Sequence, residues 1–329
     1  MDDFNLGLYV ILFLILAAEF VNGWTDAPNA IATVISTRVL SPIAAIIMAA
    51  IFNLLGVLSG TAVAETIGTE IVNPNIINMK TIASSMVAIV VWSSITARLG
   101  IPTSESHSLV AGLGGAGIAT AGLNVLIWEG WKKVLFGLLF STFFGFIGGL
   151  ILMTIIYHLF KKFSPSKMRK SFNYLQMVSS AFMAFTHGSN DGQKFMGVFT
   201  LALVIEHKLP HFAIPKWVMF LCAFVMAIGT LVGGRRIIKT MGFKITNLET
   251  PQGFSAEIAA GSTIAIASSL GVPLSTTHTI NTSIMGVGAT RRLSAVRWGI
   301  TANIVAAWIL TFPICGLIGY VVALFLQLF

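Results

Sequence analysis

The chain has 329 residues, of which 56% are hydrophobic and 10% are charged, whereas ordinary soluble domains carry about 25% charged residues. Several apolar stretches reach the roughly 20 residues that a helix needs to cross a bilayer, and such spans are helical. The composition therefore excludes a soluble globular protein and predicts an all-α, multi-pass protein of the cell membrane, surrounded by membrane lipid. The net charge of +8 is interpreted as a signal of membrane orientation and not of nucleic-acid binding.

Residues 1–160 form the predicted first half of the chain. Its first apolar segment covers residues 5–38, and the stretch 22–29 within it combines glycine, proline and hydrogen-bonding side chains. These residues predict two half-helices joined by an unwound centre. Further segments follow at residues 42–64, 81–99, 107–123 and 134–160. A polar break at 100–106 makes residues 81–122, approximately, a predicted helical hairpin.

A basic stretch connects this half to a second one. Residues 161–171 hold five Lys and Arg side chains and are predicted to be a linker. Residues 172–329 then repeat the order of the first half. The predicted elements are a segment at 172–206 broken at 186–194, a span at 217–234, a hairpin at about 254–289 and a final span at 298–326.

Two copies of one polar motif indicate an internal duplication. Residues 99–107 read LGIPTSESH and residues 270–278 read LGVPLSTTH, so five of nine positions are identical at an offset of 171. A second match, at an offset of 165, relates Gly23 to Gly188 and Asp26 to Asp191. The two halves are therefore predicted to share one architecture.

Loop charges predict the orientation of both halves. The linker and the loops at 235–244 and 291–297 are basic and are expected in the cytoplasm. These two loops flank the second hairpin, which is therefore predicted to be re-entrant from the cytoplasm. The first-half loops are acidic or mixed, so the first hairpin is predicted to enter from the opposite face. Both chain termini then lie outside, and the halves form inverted-topology repeats, as in many secondary transporters.

Opposed hairpins would bring two helix N-termini together near the membrane centre, where they favour an anion. The predicted hydrogen-bond donors to a tetrahedral oxyanion are Thr103, Ser104, Ser106, Ser275, Thr276 and Thr277, with Thr25 and Asn190 from the two broken segments. The alternative is that these hydroxyls are ordinary N-caps. Their occurrence in two matched breaks favours a substrate site.

Asp26 and Asp191 form a second matched pair. An ionised carboxylate within a bilayer is costly unless it is paired, and the predicted partner is a bound cation. Asn29 and Asn190 would add neutral oxygen ligands, and ligation by oxygen alone suits Na⁺, Ca²⁺ or Mg²⁺ better than transition metals. The alternatives are protonated aspartates, with H⁺ as the coupling ion, and an ion pair between Asp191 and Lys194.

Other polar residues in the apolar segments receive narrower expectations. His107 and His278 match no zinc-binding spacing and are predicted to form hydrogen bonds at the hairpin bases. Glu105, beside the predicted anion, is expected to face a cation or to be protonated. Glu19 and Glu257 lack counterparts in the other half, and a further ion or a subunit contact is considered for them.

With these motifs the chain resembles the inorganic phosphate transporter (PiT) family. The resemblance rests on residues 26–29, 102–107, 187–194 and 273–278, and thus on both halves. It implies a dimeric inverted-repeat phosphate symporter, driven by Na⁺ in some members and by H⁺ in others. It places the cation near Asp26, Asn29, Asn190 and Asp191, and the phosphate near Ser104, Ser106, Ser275 and Thr277. Thr25 and Glu105 depart from the usual Asn-Asp and Ser-Thr-Thr-His forms of the motifs.

The predicted function is therefore import of inorganic phosphate coupled to Na⁺, by alternating access around a central site. A sulfate permease on the same scaffold is one rival, because both anions are tetrahedral. An anion channel would need a continuous pore, which opposed hairpins do not favour. An intramembrane hydrolase would need an oriented acid or a zinc motif beside its serine and histidine, so no enzyme activity is predicted.

Overall fold

The fold comes from a computed structural model, which describes residues 6–328. Within this range helices are the only extended regular elements, as the composition predicts, and one isolated β-bridge pairs Val72 with Leu126. The first half comprises α1 (Leu6–Ser36), α2 (Pro42–Val57), α3 (Ala62–Thr69), α4 (Met79–Leu99), α5 (Glu105–Ala121) and α6 (Trp128–Phe160). The second half comprises α7 (Pro165–Ile205), α8 (Lys216–Val232), α9 (Arg235–Lys239, continued by a π-helical turn over Thr240–Lys244), α10 (Thr250–Ser269), α11 (Thr276–Ala289) and α12 (Trp298–Gln327).

Within residues 6–328, four helices are long and apolar enough to cross a membrane, namely α1, α4, α6 and α12. Two further crossings result if α2 with α3, and α8 with residues 235–244, each count as one bent span. The 21 residues of α4 extend about 31 Å, which is enough for a full crossing. The predicted placement of both ends of each hairpin on one face of the membrane holds equally for a hairpin that crosses the membrane and returns. The prediction that both termini lie outside concerns residues 1–5 and 329, which are not within the described range.

The two predicted helix breaks are wrong, because α1 and α7 run unbroken through residues 22–29 and 186–194. The glycines in these stretches allow close packing and not unwinding. A Cβ on Gly23 would lie 2.3 Å from the Met226 carbonyl oxygen of α8, and one on Gly188 would lie 2.3 Å from the Asn53 carbonyl oxygen of α2. The real bends, of 70° and 61°, separate α2 from α3 and α8 from residues 235–244. Most of the predicted linker is also helical, since α7 begins at Pro165, a residue type favoured at the first helical position.

The duplication seen in the sequence is present in the packing. Each half places its last helix against the second hairpin arm of the other half, with α12 on α5 and α6 on α11. Matched glycines lie at both contacts. A Cβ on Gly115 would come within 2.0 Å of the Gly316 carbonyl oxygen, and one on Gly286 within 2.1 Å of the Phe146 carbonyl oxygen. The halves therefore interlock and do not pack as two separate bundles.

Both predicted hairpins form, with α4 and α5 as one and α10 and α11 as the other. Gly100 and Gly271 end the first arms at φ of 72° and 67°, a left-handed conformation that glycine adopts without strain. Each tip is held by a threonine of the other half. Thr240 donates a hydrogen bond to the Gly100 carbonyl at 2.7 Å, and Thr66 donates one to the Gly271 carbonyl at 2.8 Å.

Candidate functional site

The two hairpin tips touch one another in the interior of the protein. Ser106, in the first turn of α5, donates a hydrogen bond to the Leu274 carbonyl at 2.7 Å. At the next residue of α5, the ring of His107 lies 4.6 Å from the ring of His278 between centroids. The start of α5 therefore meets the start of α11, as the duplicated motif predicts, and both helix N-termini face one buried region.

Asp26 of α1 lies beside this junction and is 3% exposed. The Thr277 hydroxyl is 3.3 and 3.5 Å from its two carboxylate oxygens, which are long distances for a hydrogen bond to a carboxylate. One turn along α1, the Asn29 amide donates to Thr276 at 3.2 Å and to Thr277 at 3.0 Å. Its carbonyl oxygen Oδ1 has no hydrogen-bond partner among the described residues. Asp26 and Asn29 thus direct weakly satisfied oxygens into one place.

Asp191 of α7 is bound far more completely. Its carboxylate pairs with the Lys194 ammonium, accepts a hydrogen bond from Thr276 at 2.6 Å and lies 3.1 Å from Nε2 of His187. The ion pair with Lys194 is the alternative to cation binding that the sequence left open. His187 is not among the residues predicted for the site, although it stands one helical turn before Asp191 in the same motif. One ligand atom each of Asp26, His187 and Asp191 lie within 4.8 Å of one another.

The hydroxyls predicted to bind an anion make different contacts in the structure. Ser104 and Ser275 are N-caps, because they accept hydrogen bonds from the backbone N–H groups of His107 at 3.3 Å and His278 at 3.1 Å. These contacts are those of ordinary N-caps, the alternative to an anion site. Each hydroxyl nevertheless keeps its own hydrogen for a further partner. Thr103 lies against Thr96, with 2.9 Å between the hydroxyl oxygens.

Three predicted site residues make contacts away from the junction of the tips. Glu105 accepts hydrogen bonds from Thr25 at 2.8 Å and from Ser93 at 2.6 Å. Its carboxylate is therefore held by hydroxyls of α1 and α4. The Asn190 amide donates to Ser268 at 2.9 Å, while its Oδ1 is unpartnered within the described range. Thr25 and Asn190 thus flank the aspartates in the chain; Thr25 contacts the start of α5, and Asn190 contacts the end of α10.

The two histidines contact aromatic rings, and Nδ1 of His107 has no hydrogen-bond partner within the described residues. His278 stacks on Trp308 at 3.7 Å between ring centroids, and neither of its ring nitrogens has a hydrogen-bond partner in the described part of the chain. The predicted hydrogen bond at this hairpin base is therefore wrong for His278, because aromatic rings surround it. The Trp308 indole N–H donates to the Pro102 carbonyl at 2.9 Å, so the stack also holds the first tip.

The two unmatched glutamates lie in separate buried networks. Glu257 accepts hydrogen bonds from Thr33 at 2.5 Å, from Gln176 at 3.1 Å and from Ser179. Glu19 accepts one hydrogen bond, from Asn22 at 3.1 Å. Asn22 lies one turn before Asp26 on the same helix. Both glutamate side chains have zero exposure. Polar side chains of the protein thus satisfy the Glu257 carboxylate.

Comparison with known proteins assigns this architecture to a family. The family model described as "Phosphate transporter family" matches residues 22–319. A Rhizobium meliloti protein described as "Probable low-affinity inorganic phosphate transporter" is 43% identical over 322 residues, which cover 96% of each chain. A Bacillus subtilis protein with the same description is 39% identical and covers 97% of each chain. The chain belongs to the phosphate transporter family.

A solved structure shares the fold of this phosphate transporter family member. It is described as "The sodium-dependent phosphate transporter" and aligns with a TM-score of 0.91 over 98% of this chain and 99% of that one, at 23% identity. The family consists of transporters, so this phosphate transporter family member is a multi-pass membrane transporter and not an enzyme. The expectations of phosphate transport and of a helical membrane protein are confirmed.

Proposed function

We propose that this transporter imports inorganic phosphate together with Na⁺ by alternating access around the junction of the two hairpin tips. The observation that carries the proposal is the contact of Ser106 with Leu274 beside Asp26 and Asp191. It joins two helix N-termini to a matched pair of buried carboxylates. The names of the relatives support phosphate as the anion, and the name of the solved structure supports Na⁺ as the cation.

The helix N-termini provide the anion side of the proposed site. The first turns of α5 and α11 present backbone N–H groups that have no partner within their own helix, and each helix dipole adds about half a positive charge. Hydroxyl hydrogens of Ser104 and Ser275 remain available beside them. A tetrahedral oxyanion at this place would receive donors from both halves, which a single helix end could not supply.

The first half provides the proposed cation site. The Asp26 carboxylate and the free Oδ1 of Asn29 are buried oxygens without strong partners, and oxygen ligands of this kind fit Na⁺. The two ions support each other. A cation beside Asp26 lowers the cost of keeping that carboxylate ionised, and it offsets the charge of the phosphate. Binding of both together is therefore favoured over binding of either alone.

Enclosure of the site supports alternating access over a channel. Asp26 is 3% exposed, and Asp191 and Lys194 are each 1% exposed. An ion in this region would be shielded from both faces of the membrane, so transport requires the hairpins to move relative to the surrounding helices. We further propose that the halves are inverted repeats, that the N- and C-termini lie outside and the 161–171 segment in the cytoplasm, and that the protein is a homodimer.

The decisive experiment is uptake of labelled phosphate into proteoliposomes with Na⁺ and pH gradients imposed separately. An inward Na⁺ gradient is expected to drive saturable accumulation, which Asp26→Asn reduces at least tenfold. Glu129→Gln, which changes an exposed carboxylate paired with Lys132, is the matched control and is expected to transport normally. Accumulation driven by the pH gradient alone would assign H⁺ as the coupling ion and overturn the Na⁺ assignment. Competition by sulfate but not by arsenate would refute phosphate as the substrate.

A further inference from the structure

The two halves differ at one position of the otherwise matched aspartate motif. The offset of 165 that relates Asp26 to Asp191 also relates Asn29 to Lys194. A neutral amide in the first half is thus replaced by an ammonium in the second. Lys194 is 1% exposed, which is rare for a lysine. The asymmetry therefore lies at the centre of the proposed transport site.

Every donor of the Lys194 ammonium is used within the protein. An ammonium has three N–H groups, and Lys194 donates to the Asp191 carboxylate, to the Ser106 hydroxyl and, at 2.9 Å, to the Leu274 carbonyl. These acceptors belong to α7, to the first hairpin and to the second hairpin. The ammonium is therefore surrounded by oxygens from three elements, in the manner of a bound cation.

The two aspartates consequently have different requirements. Asp191 has a fixed counter-charge in Lys194 and a strong hydrogen bond from Thr276 at 2.6 Å. Among the described residues, the Asp26 carboxylate accepts side-chain hydrogen bonds only at the long distances from Thr277, and Asn29 one turn later brings an oxygen with no partner there in place of a charge. Because a buried carboxylate needs a counter-ion, only the Asp26 half of the site requires one from solution.

Resting on the proposed function, we infer that Lys194 is a tethered cation that replaces one of two coupling ions. A single mobile Na⁺ then binds, at Asp26 and Asn29, and it accompanies each phosphate. The Lys194 charge stays at the junction of the hairpin tips through the cycle and neutralises Asp191 there, so the anion meets no uncompensated carboxylate on that side. The driving force for phosphate uptake is smaller as a result, because one Na⁺ ion, in place of two, moves down its gradient with each phosphate.

The test is the ratio of ²²Na⁺ to ³²P-phosphate entering proteoliposomes, measured together with the Hill coefficient for Na⁺. The wild type is expected to show a ratio of one and a Hill coefficient near one. Lys194→Asn, which makes the second half match the first, is expected to raise both towards two. Asn29→Lys, the reciprocal change, is expected to abolish the Na⁺ dependence. A wild-type ratio of two, or an unchanged ratio in Lys194→Asn, overturns the inference.

A second variant keeps the test decisive where Lys194→Asn is unstable. Lys194→Met combined with Asp191→Asn removes both charges of the pair, and it is expected to keep a rise in melting temperature on addition of Na⁺ in detergent. Asp26→Asn is expected to lose that rise. The opposite pattern overturns the inference while leaving Na⁺ coupling intact. A wild type whose uptake ignores Na⁺ would instead overturn the proposed function.

Discussion

Close contact between the halves at Gly115 allows a sharp test of the packing. A Cβ at this position would lie 2.0 Å from the Gly316 carbonyl oxygen on α12, whereas carbon and oxygen normally approach to about 3.3 Å. In Gly115→Ala, α5 and α12 must therefore separate by about 1.3 Å at this point. Overpacking of this kind costs about 1–3 kcal/mol, which corresponds to a fall of roughly 2–6 °C in melting temperature for a chain of this size.

Gly316, on the other side of this contact, provides a matched control. In Gly316→Ala the new Cβ would meet the Ala111 carbonyl oxygen at 3.6 Å, which is an ordinary van der Waals distance. This variant is expected to melt within about 1 °C of the wild type. Thermal unfolding of both purified proteins, in the same detergent, measures the difference. Equal melting temperatures for the two variants would refute the conclusion that α5 and α12 are in close backbone contact at Gly115.

Three further changes test other contacts. Glu257→Leu leaves three buried donors without an acceptor and is expected to cost about 3–5 kcal/mol, whereas Glu257→Gln keeps part of the network and should lower the melting temperature by less than half as much. Thr66→Val and Thr240→Val each remove one hydrogen bond to a hairpin tip, at 2.8 and 2.7 Å, and each should cost about 1 kcal/mol in denaturant unfolding. Trp308→Phe removes the hydrogen bond to the Pro102 carbonyl but keeps an aromatic ring beside His278. We expect a several-fold rise in the KM for phosphate together with a loss of about 1 kcal/mol of stability, and an unchanged KM would contradict the role given to that stack.

Much of the architecture could be predicted because the bilayer makes apolar length a strong signal and because the motif at 99–107 recurs at 270–278. The hairpin tips and their contact follow from that recurrence. The helix breaks could not be located in the same way. Glycine occurs both in unwound segments and where helices pack closely, and the sequence alone does not separate the two. The continuous α1 and the 2.3 Å between a Cβ on Gly23 and the Met226 carbonyl oxygen identify close packing.

The residues of the candidate site could be predicted from the sequence, but the partners of its two aspartates could not. Sequence spacing places Asp26 and Asp191 at equivalent positions, and it therefore suggests equivalent partners. The contact of Lys194 with both hairpin tips depends on residues 88 and 80 positions away, which no local pattern reveals. His187 was missed for a related reason. A histidine one turn from an aspartate becomes informative only when the side chains beside it are known.

The interlocked arrangement of α5 and α12 has a consequence for biogenesis. The ribosome completes α5 with residue 121, but the helix that covers its glycine-rich face begins only at residue 298. Throughout that interval the nascent chain exposes backbone that the finished protein encloses. Lipids or the insertion machinery must shield this surface until translation ends, so a truncation that removes α12 should make the protein a substrate for membrane quality-control proteases.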